Sequence, residues 1–552
     1  MKTIALPLLI FLALLAPAQQ RPRPAKPRIV ITADPELDDN NTLIRALLYT
    51  PDFQVEGLVY VSSMWHWKGD GKGTTQYIPG REYTRTGLGP QTSWRWPTEA
   101  PYTEFIDTLV DEYAKSYVNL KVHDPDYPSP ALLKSKIKWG NVDFEGDYSK
   151  DTDGSNLIKS LLLDNKPGPL YVTAQGGQGT IARALKSIYD QYSKTSQWQT
   201  IRDKVSAKLV IIPFGDQDAT YARYIKPNWP EVTEWQLNMI EYGYGIRGRL
   251  APEDQVYISP AWNQENILSR GPLGARYRVW GDGKVMDSTD TYGIRDTQPK
   301  GSFISEGDTP TFLNLLDNGL RSWENGGFAG GWGGIRQTSI QQPANGVAGG
   351  GRGAAPFVTA GPDDPGFAPG LAPAGSDANK PAASPAPGGR GGLGGSGRGA
   401  FGGSGRGGGF GRGPGISPRT AAVNARFFAA SQNDFAARLK WSVTPKFANA
   451  NHPPKVSVKG SLDVSAKPGV TVRLQGETSD PDHNTVKVNW WQYNDAGTYP
   501  GDISFSDSAA LTTTFQVPGD AQPGQTIHVI LEATDNGTPA LTRYQRVIVR
   551  VQ

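Results

Sequence analysis

The chain has 552 residues, enough for two or three domains of the usual ~100–200 residues. Lys plus Arg total 56 against 53 Asp plus Glu, a net charge of +3, which argues against a protein built around a basic face for nucleic acid. Cysteine is absent, so disulfides, thiolate zinc sites, iron–sulfur clusters and cysteine nucleophiles are excluded.

The opening MKTIALPLLIFLALLAPAQQ carries one early lysine, an apolar run over residues 4–15, and Ala16-Pro17-Ala18. This reads as a secretory signal peptide (1–18), too short for a membrane span. A lipoprotein anchor would need a cysteine after the run, so the expectation is export to the periplasm or the extracellular space with no membrane anchor. A Pro-rich leader (19–27) follows.

Residues 28–33 (RIVITA) read as a buried strand, followed by Asp34-Pro35-Glu36-Leu37-Asp38-Asp39 and a helix over 40–49. A second strand is expected at 55–62. The alternation recurs with a strand at 169–173, a turn and helix over 176–192, and a strand at 208–214 (KLVIIPF). Such a pattern predicts an α/β domain over 28–341, a mainly parallel sheet with helices on both faces. Ligand crevices in such sheets lie at the carboxyl ends of strands. The segments 34–39, 62–66, 175–177 and 215–218 all fall there.

From 342 to 418 the composition turns to Gly, Pro and RGG repeats that cannot build a core, so a disordered insertion is expected. RGG tracts occur in RNA binding; on an exported chain a solvated spacer is the preferred reading, and no nucleic-acid partner is expected. An amphipathic helix then completes the first domain within 419–450, with Val423, Phe427, Phe435 and Leu439 spaced by multiples of four. Residues 451–552 hold alternating runs such as VTVRLQGET, VKVNWWQY and IHVILEATD, an all-β, immunoglobulin-like sandwich. Trp490 and Trp491 are adjacent in one strand, so one should be core and the other can lie on the sandwich surface. Asp480, Asp482 and Asp535 read first as turn residues and second as calcium ligands.

Four carboxylates within the six residues 34–39 repel one another unless a cation neutralises them. A hard divalent ion with oxygen ligands does so, and calcium suits carboxylates joined by carbonyls. On charge alone a solvated turn at a helix N-terminus accounts for the run equally well; its place at a strand's carboxyl end favours the site.

DPxxDD after a first strand resembles the nucleoside hydrolases, whose turn normally reads DPGxDD; here Glu36 replaces the glycine. YVTAQGGQGTIARAL (171–185) and SEGDTPTFLNLL (305–316) resemble two further segments of that family. SSMWHWKGDG, QNDFAARLKW, NHPP and the β-rich tail resemble more closely the exported bacterial cellulose-binding proteins with a nucleoside-hydrolase-like N-terminal domain and an immunoglobulin-like C-terminal domain. The resemblance implies a calcium-dependent hydrolase of glycosidic bonds acting on a nucleoside or sugar-containing substrate, or, alternatively, a non-catalytic carbohydrate (cellulose)-binding protein on that scaffold. By it, Asp34, Asp39, Asp308 and the Gln175 carbonyl hold calcium. Asp34 also serves as general base, and Asp38 binds a sugar hydroxyl in an oxocarbenium-like transition state. Gln217 and Asp218 fall where the family grips the ribose. Ser62, Ser63 and Met64 stand where its ribose-binding asparagine is expected, and Gly307 stands where a histidine is common. His66 is either a leaving-group acid or structural. Trp65, Trp67, Trp94 and Trp96 are either sugar-stacking or core.

Overall fold

The computed structural model describes residues 25–99, 102–238, 242–243, 246–248, 250–283, 298–326, 329–336 and 425–552. The expected signal peptide, most of the leader and the Gly/Pro-rich insertion lie outside the described residues. Among the described residues, no helix is long and apolar enough to cross a membrane.

Strands β1 (Arg28–Ala33), β2 (Gln54–Tyr60), β3 (Ile137–Trp139), β4 (Leu170–Ala174), β5 (Leu209–Pro213) and β6 (Thr233–Glu234) form one sheet in the order β3-β2-β1-β4-β5-β6. Every pairing is parallel. Side chains alternate between two cores, as a period of two requires. Ile29, Ile31 and Ala33 of β1, with Leu58 and Tyr60 of β2, face one core. Val30 and Val59 face the other, with Val172 and Ile211. Helices α1 (Leu37–Leu48) and α2 (Phe105–His123) cover the first face, whereas α3 (Asp153–Leu163), α4 (Gly179–Tyr192) and α5 (Trp198–Lys208) cover the second. The strands are buried on both sides, which is why they read as apolar runs rather than alternating ones.

Helix α1 starts three residues before the expected position, at Leu37, so Asp38 and Asp39 occupy its first turn. Neither α2 nor β3 was expected from the sequence. Helix α2 carries an ordinary apolar stripe (Phe105, Ile106, Leu109, Val110, Tyr113), whereas the three-residue β3 is too short to show a period.

Helix α6 (Ala425–Ser442) returns to the first core, where Phe427, Phe428, Phe435 and Leu439 are buried. Beyond it, β7 (Lys455–Val458), β8 (Asp463–Ala466), β9 (Thr471–Ser479), β10 (Val486–Gln492), β11 (Thr512–Gln516), β12 (Thr526–Asp535) and β13 (Thr542–Val551) make two sheets, β8-β13-β12-β10 and β11-β9-β7. Trp490, Val529, Leu531 and Val549 fill the space between them. Ile530 and Tyr544 point the other way, into the core of the first domain. Trp491 also lies at this junction, against Phe427 and beneath the Arg426 guanidinium, instead of on a free sandwich surface. Arg546 is fully buried there and donates to the Ala329 and Gly330 carbonyls.

Candidate functional site

The strand order reverses between β1 and β4, and both strands end at the same crevice. Such a switch point is where open α/β sheets bind ligands. Asp34 follows β1, Gln175 follows β4, and both are completely buried. The Asp34 backbone N–H donates to Asp39 Oδ1 (3.0 Å), closing the acidic turn on itself. Asp34 Oδ1 accepts from the Glu36 N–H (3.1 Å).

Asp308 arrives from far along the chain because α1 holds its segment. Asn41 Nδ2 donates to the Ser305 carbonyl (2.9 Å), Thr309 Oγ1 donates to Thr42 Oγ1 (3.1 Å), and Arg45 forms a bidentate ion pair with Glu306. Asp308 thereby comes within hydrogen-bonding reach of the Asp39 carboxyl. Ser305 Oγ donates to Asp38 Oδ2 (3.3 Å).

The electrostatics follow from crowding without solvent. Burial, then Asp34, pushes the Asp38 carboxyl up to about 6. Asp39 is raised well above the usual carboxylate range by burial and then by Asp308 and Asp34. Asp308 is raised by burial and then by Asp38 and Glu36. Glu36 is raised likewise by burial, then Asp38 and Asp34. Two unit charges at contact repel by roughly 4 kcal/mol even at an effective dielectric near 20. Full ionisation of this group therefore needs positive charge among its oxygens.

The residues fit a cation on independent grounds. Asp34 Oδ2, Asp38 Oδ1 and Asp308 Oδ1 are buried without a hydrogen-bond partner, a costly state for a carboxylate oxygen. The Gln175 carbonyl accepts from Gln217 Nε2 (2.5 Å), which leaves one lone pair.

Other expected residues have different duties. Ser62 Oγ donates to the Phe144 and Asn141 carbonyls, bracing the loop after β2. Ser63 Oγ accepts from the Trp65 and His66 N–H groups, fixing the turn that carries His66. Asp218 accepts from Gly179 N (3.0 Å) at the start of α4 and from Thr220 N (3.0 Å). These side chains shape the crevice wall. The side-chain oxygens of Ser62 and Asp218, two of the residues expected near the sugar, are engaged with backbone.

Trp67 is fully buried against Tyr83 and Phe144, and Trp96 is buried beside Trp139, so neither offers a face to sugar. Trp94 packs on Tyr83. Trp65 is half-buried, as an accessible indole would be. In the sandwich, Asp535 accepts from Asn451, Gly537 and Leu541, and Asp482 from His452, which is the turn reading of those residues.

His66 stands inside the cluster. Its Nδ1 lies 3.6 Å from Asp34 Oδ1 and 3.8 Å from Glu36 Oε2. Glu36 received no role from sequence, although its departure from the glycine of DPGxDD was the available signal.

The parallel sheet with an acidic switch-point crevice, followed by a mainly antiparallel sandwich, defines an α/β protein of nucleoside-hydrolase-like architecture. Residues 28–335 match the family described as cellulose-binding Sde182, nucleoside hydrolase-like domain, and residues 471–551 match the cellulose-binding protein Sde0182 C-terminal domain. The chain belongs to this family. A similar solved structure is that of a nucleoside hydrolase-related hypothetical protein from Saccharophagus degradans that is associated with carbohydrate metabolism. It is 23% identical, with a TM-score of 0.64, covering 96% of this chain and 100% of that one. No curated protein matches the chain.

Proposed function

We propose that the protein is an exported hydrolase that uses a calcium-loaded carboxylate cluster to cleave a glycosidic bond in a nucleoside or other sugar-containing substrate. The observation that supports this reading best is the convergence of Asp34, Asp38, Asp39 and Asp308, with orphaned buried oxygens, at the carboxyl end of β1. Asp34, Asp39, Asp308 and the Gln175 carbonyl would hold the ion. When bound, calcium acidifies a water and orients sugar hydroxyls.

The remaining chemistry belongs to the chain. Asp34 accepts the proton of the water that attacks the anomeric carbon. Asp38 accepts a hydrogen bond from a sugar hydroxyl, and the surrounding negative charge stabilises an oxocarbenium-like transition state. Burial of the cluster keeps these interactions strong.

Calorimetric calcium titration of the wild type and Asp39→Ala tests the reading. The wild type should bind, the variant at least tenfold more weakly; equal affinity removes both metal site and mechanism. Released reducing sugar from nucleosides and cello-oligosaccharides tests turnover.

The engagement of Ser62 and Asp218 with backbone favours a second reading, a carbohydrate-binding protein without turnover. The description of the family as cellulose-binding is consistent with it. Retention of oligosaccharide without release would establish that alternative.

A further inference from the structure

Calcium held by oxygen makes no use of His66, and Glu36 stands between two groups, within reach of Asp38 and Asp39 on one side and of Asp34 and His66 on the other. The imidazole is 8% exposed, and its Nδ1 has no hydrogen-bond partner. The nearest oxygens, Asp34 Oδ1 at 3.6 Å and Glu36 Oε2 at 3.8 Å, lie beyond the N–H···O range. The Ser63–His66 turn fixes this position, with Ser63 N donating to the His66 carbonyl (2.8 Å). Nδ1 is thus buried among carboxylates with no hydrogen bond of its own, and a cation lying among the three side chains would give it a partner.

The donor atoms of Asp34, Glu36 and His66 all fall within 4.8 Å of one another. A four-coordinate ion with bonds of about 2.0–2.1 Å sets its donors roughly 3.3 Å apart, so the His66–Asp34 and His66–Glu36 separations need to close by only a few tenths of an ångström. Imidazole nitrogen suits zinc-class ions and is foreign to the hard, oxygen-seeking calcium ion. Asp34 has an oxygen for each side. Oδ1 is the one nearer His66, whereas Oδ2 faces Gly176 beside Gln175, 3.2 Å from where a Cβ on that glycine would lie.

We propose that Asp34, Glu36 and His66 form a second metal site, for a zinc-class divalent ion. Asp34 is shared between it and the calcium position. Two carboxylates and a neutral imidazole balance the ion's charge, and three protein ligands leave one coordination position for a solvent or substrate oxygen. This goes beyond the calcium reading and is decided separately from it: zinc binding without calcium binding would retain this site and remove the other.

The test uses the full chain, stripped with chelator and resupplied with saturating calcium, then titrated with Co2+ as a spectroscopic substitute for zinc. One equivalent should bind with visible ligand-field bands and be displaced by Zn2+. His66→Gln and Glu36→Gln should each weaken Co2+ at least tenfold and alter the bands, with calcium affinity changed less than threefold in His66→Gln. Absence of Co2+ binding, or an unchanged spectrum in His66→Gln, overturns the proposal. X-ray absorption at the zinc edge of the unmutated protein gives a check independent of variant folding. One imidazole in the first coordination shell supports the site, and an all-oxygen shell refutes it.

Discussion

Gly307 and Asp38 are so close that a Cβ built on the glycine would lie 2.4 Å from Asp38 Oδ2. This position, where the resemblance to nucleoside hydrolases leads to the expectation of a histidine, thus has no room for any side chain while Asp38 keeps its place. Gly307→Ala should displace Asp38 from its Ser305 contact, weaken calcium at least tenfold and cost about 1–3 kcal/mol by overpacking. Calorimetry and urea denaturation measure the two effects.

Without a cation, the raised Asp38 carboxyl should give this region the inverse of the usual pH dependence. Asp38 titrates near 6 in the folded protein against an ordinary value of 3.8. The folded state therefore binds the extra proton between these values, and metal-free stability declines as pH rises from about 4 to about 6, by up to ~3 kcal/mol. Melting curves in chelator, compared with Asp38→Asn, isolate this contribution; a difference of the opposite sign would refute the assignment. Calcium should raise Tm more at pH 7 than at pH 5, because protons compete with it.

The Arg45–Glu306 pair is fully buried and also reaches α6, through the Ser431 carbonyl and the Gln432 side chain. Glu306→Ala strands the guanidinium and should cost about 3–5 kcal/mol in urea denaturation. The double variant Arg45→Met, Glu306→Leu should lose less than the single one, since no uncompensated charge remains.

In the sandwich, burial holds the His528 imidazole down at about 3, with Arg546 and Arg550 adding repulsion. The unfolded chain takes up its proton near pH 6.5 and the folded chain does not. Stability from this residue is thus complete above pH 6.5 and falls by about 2 kcal/mol on acidification to pH 5. His528→Asn should flatten that slope in pH-dependent denaturation.

The apolar runs that became β1, β4 and β5 were legible because burial on both faces leaves an unbroken signature. The acidic turn was legible because mutual repulsion of adjacent carboxylates is a local property, and Asp308 was located through its flanking segment. What stayed hidden depends on distant partners. Trp67 reads as a loop indole until Tyr83 and Phe144 are seen to enclose it. The orphaned Nδ1 of His66 and its approach to Glu36 arise from the packing of two loops at neighbouring strand ends. The stack of His123, His452 and Trp441, with His123 Nδ1 and His452 Nε2 2.9 Å apart in a hydrogen bond, joins α2 to the sandwich by contacts no local pattern announces.

Helix α6 is the keystone of the first core although it comes after every strand of the parallel sheet in the chain. A fragment ending before residue 425 would bare a greasy trench where Phe428, Phe435 and Leu439 now sit, and would lose the carbonyl and amide that seat Arg45. Dividing this protein before Ser442 therefore strips the first core of one wall, and the crevice chemistry is best dissected in the intact polypeptide.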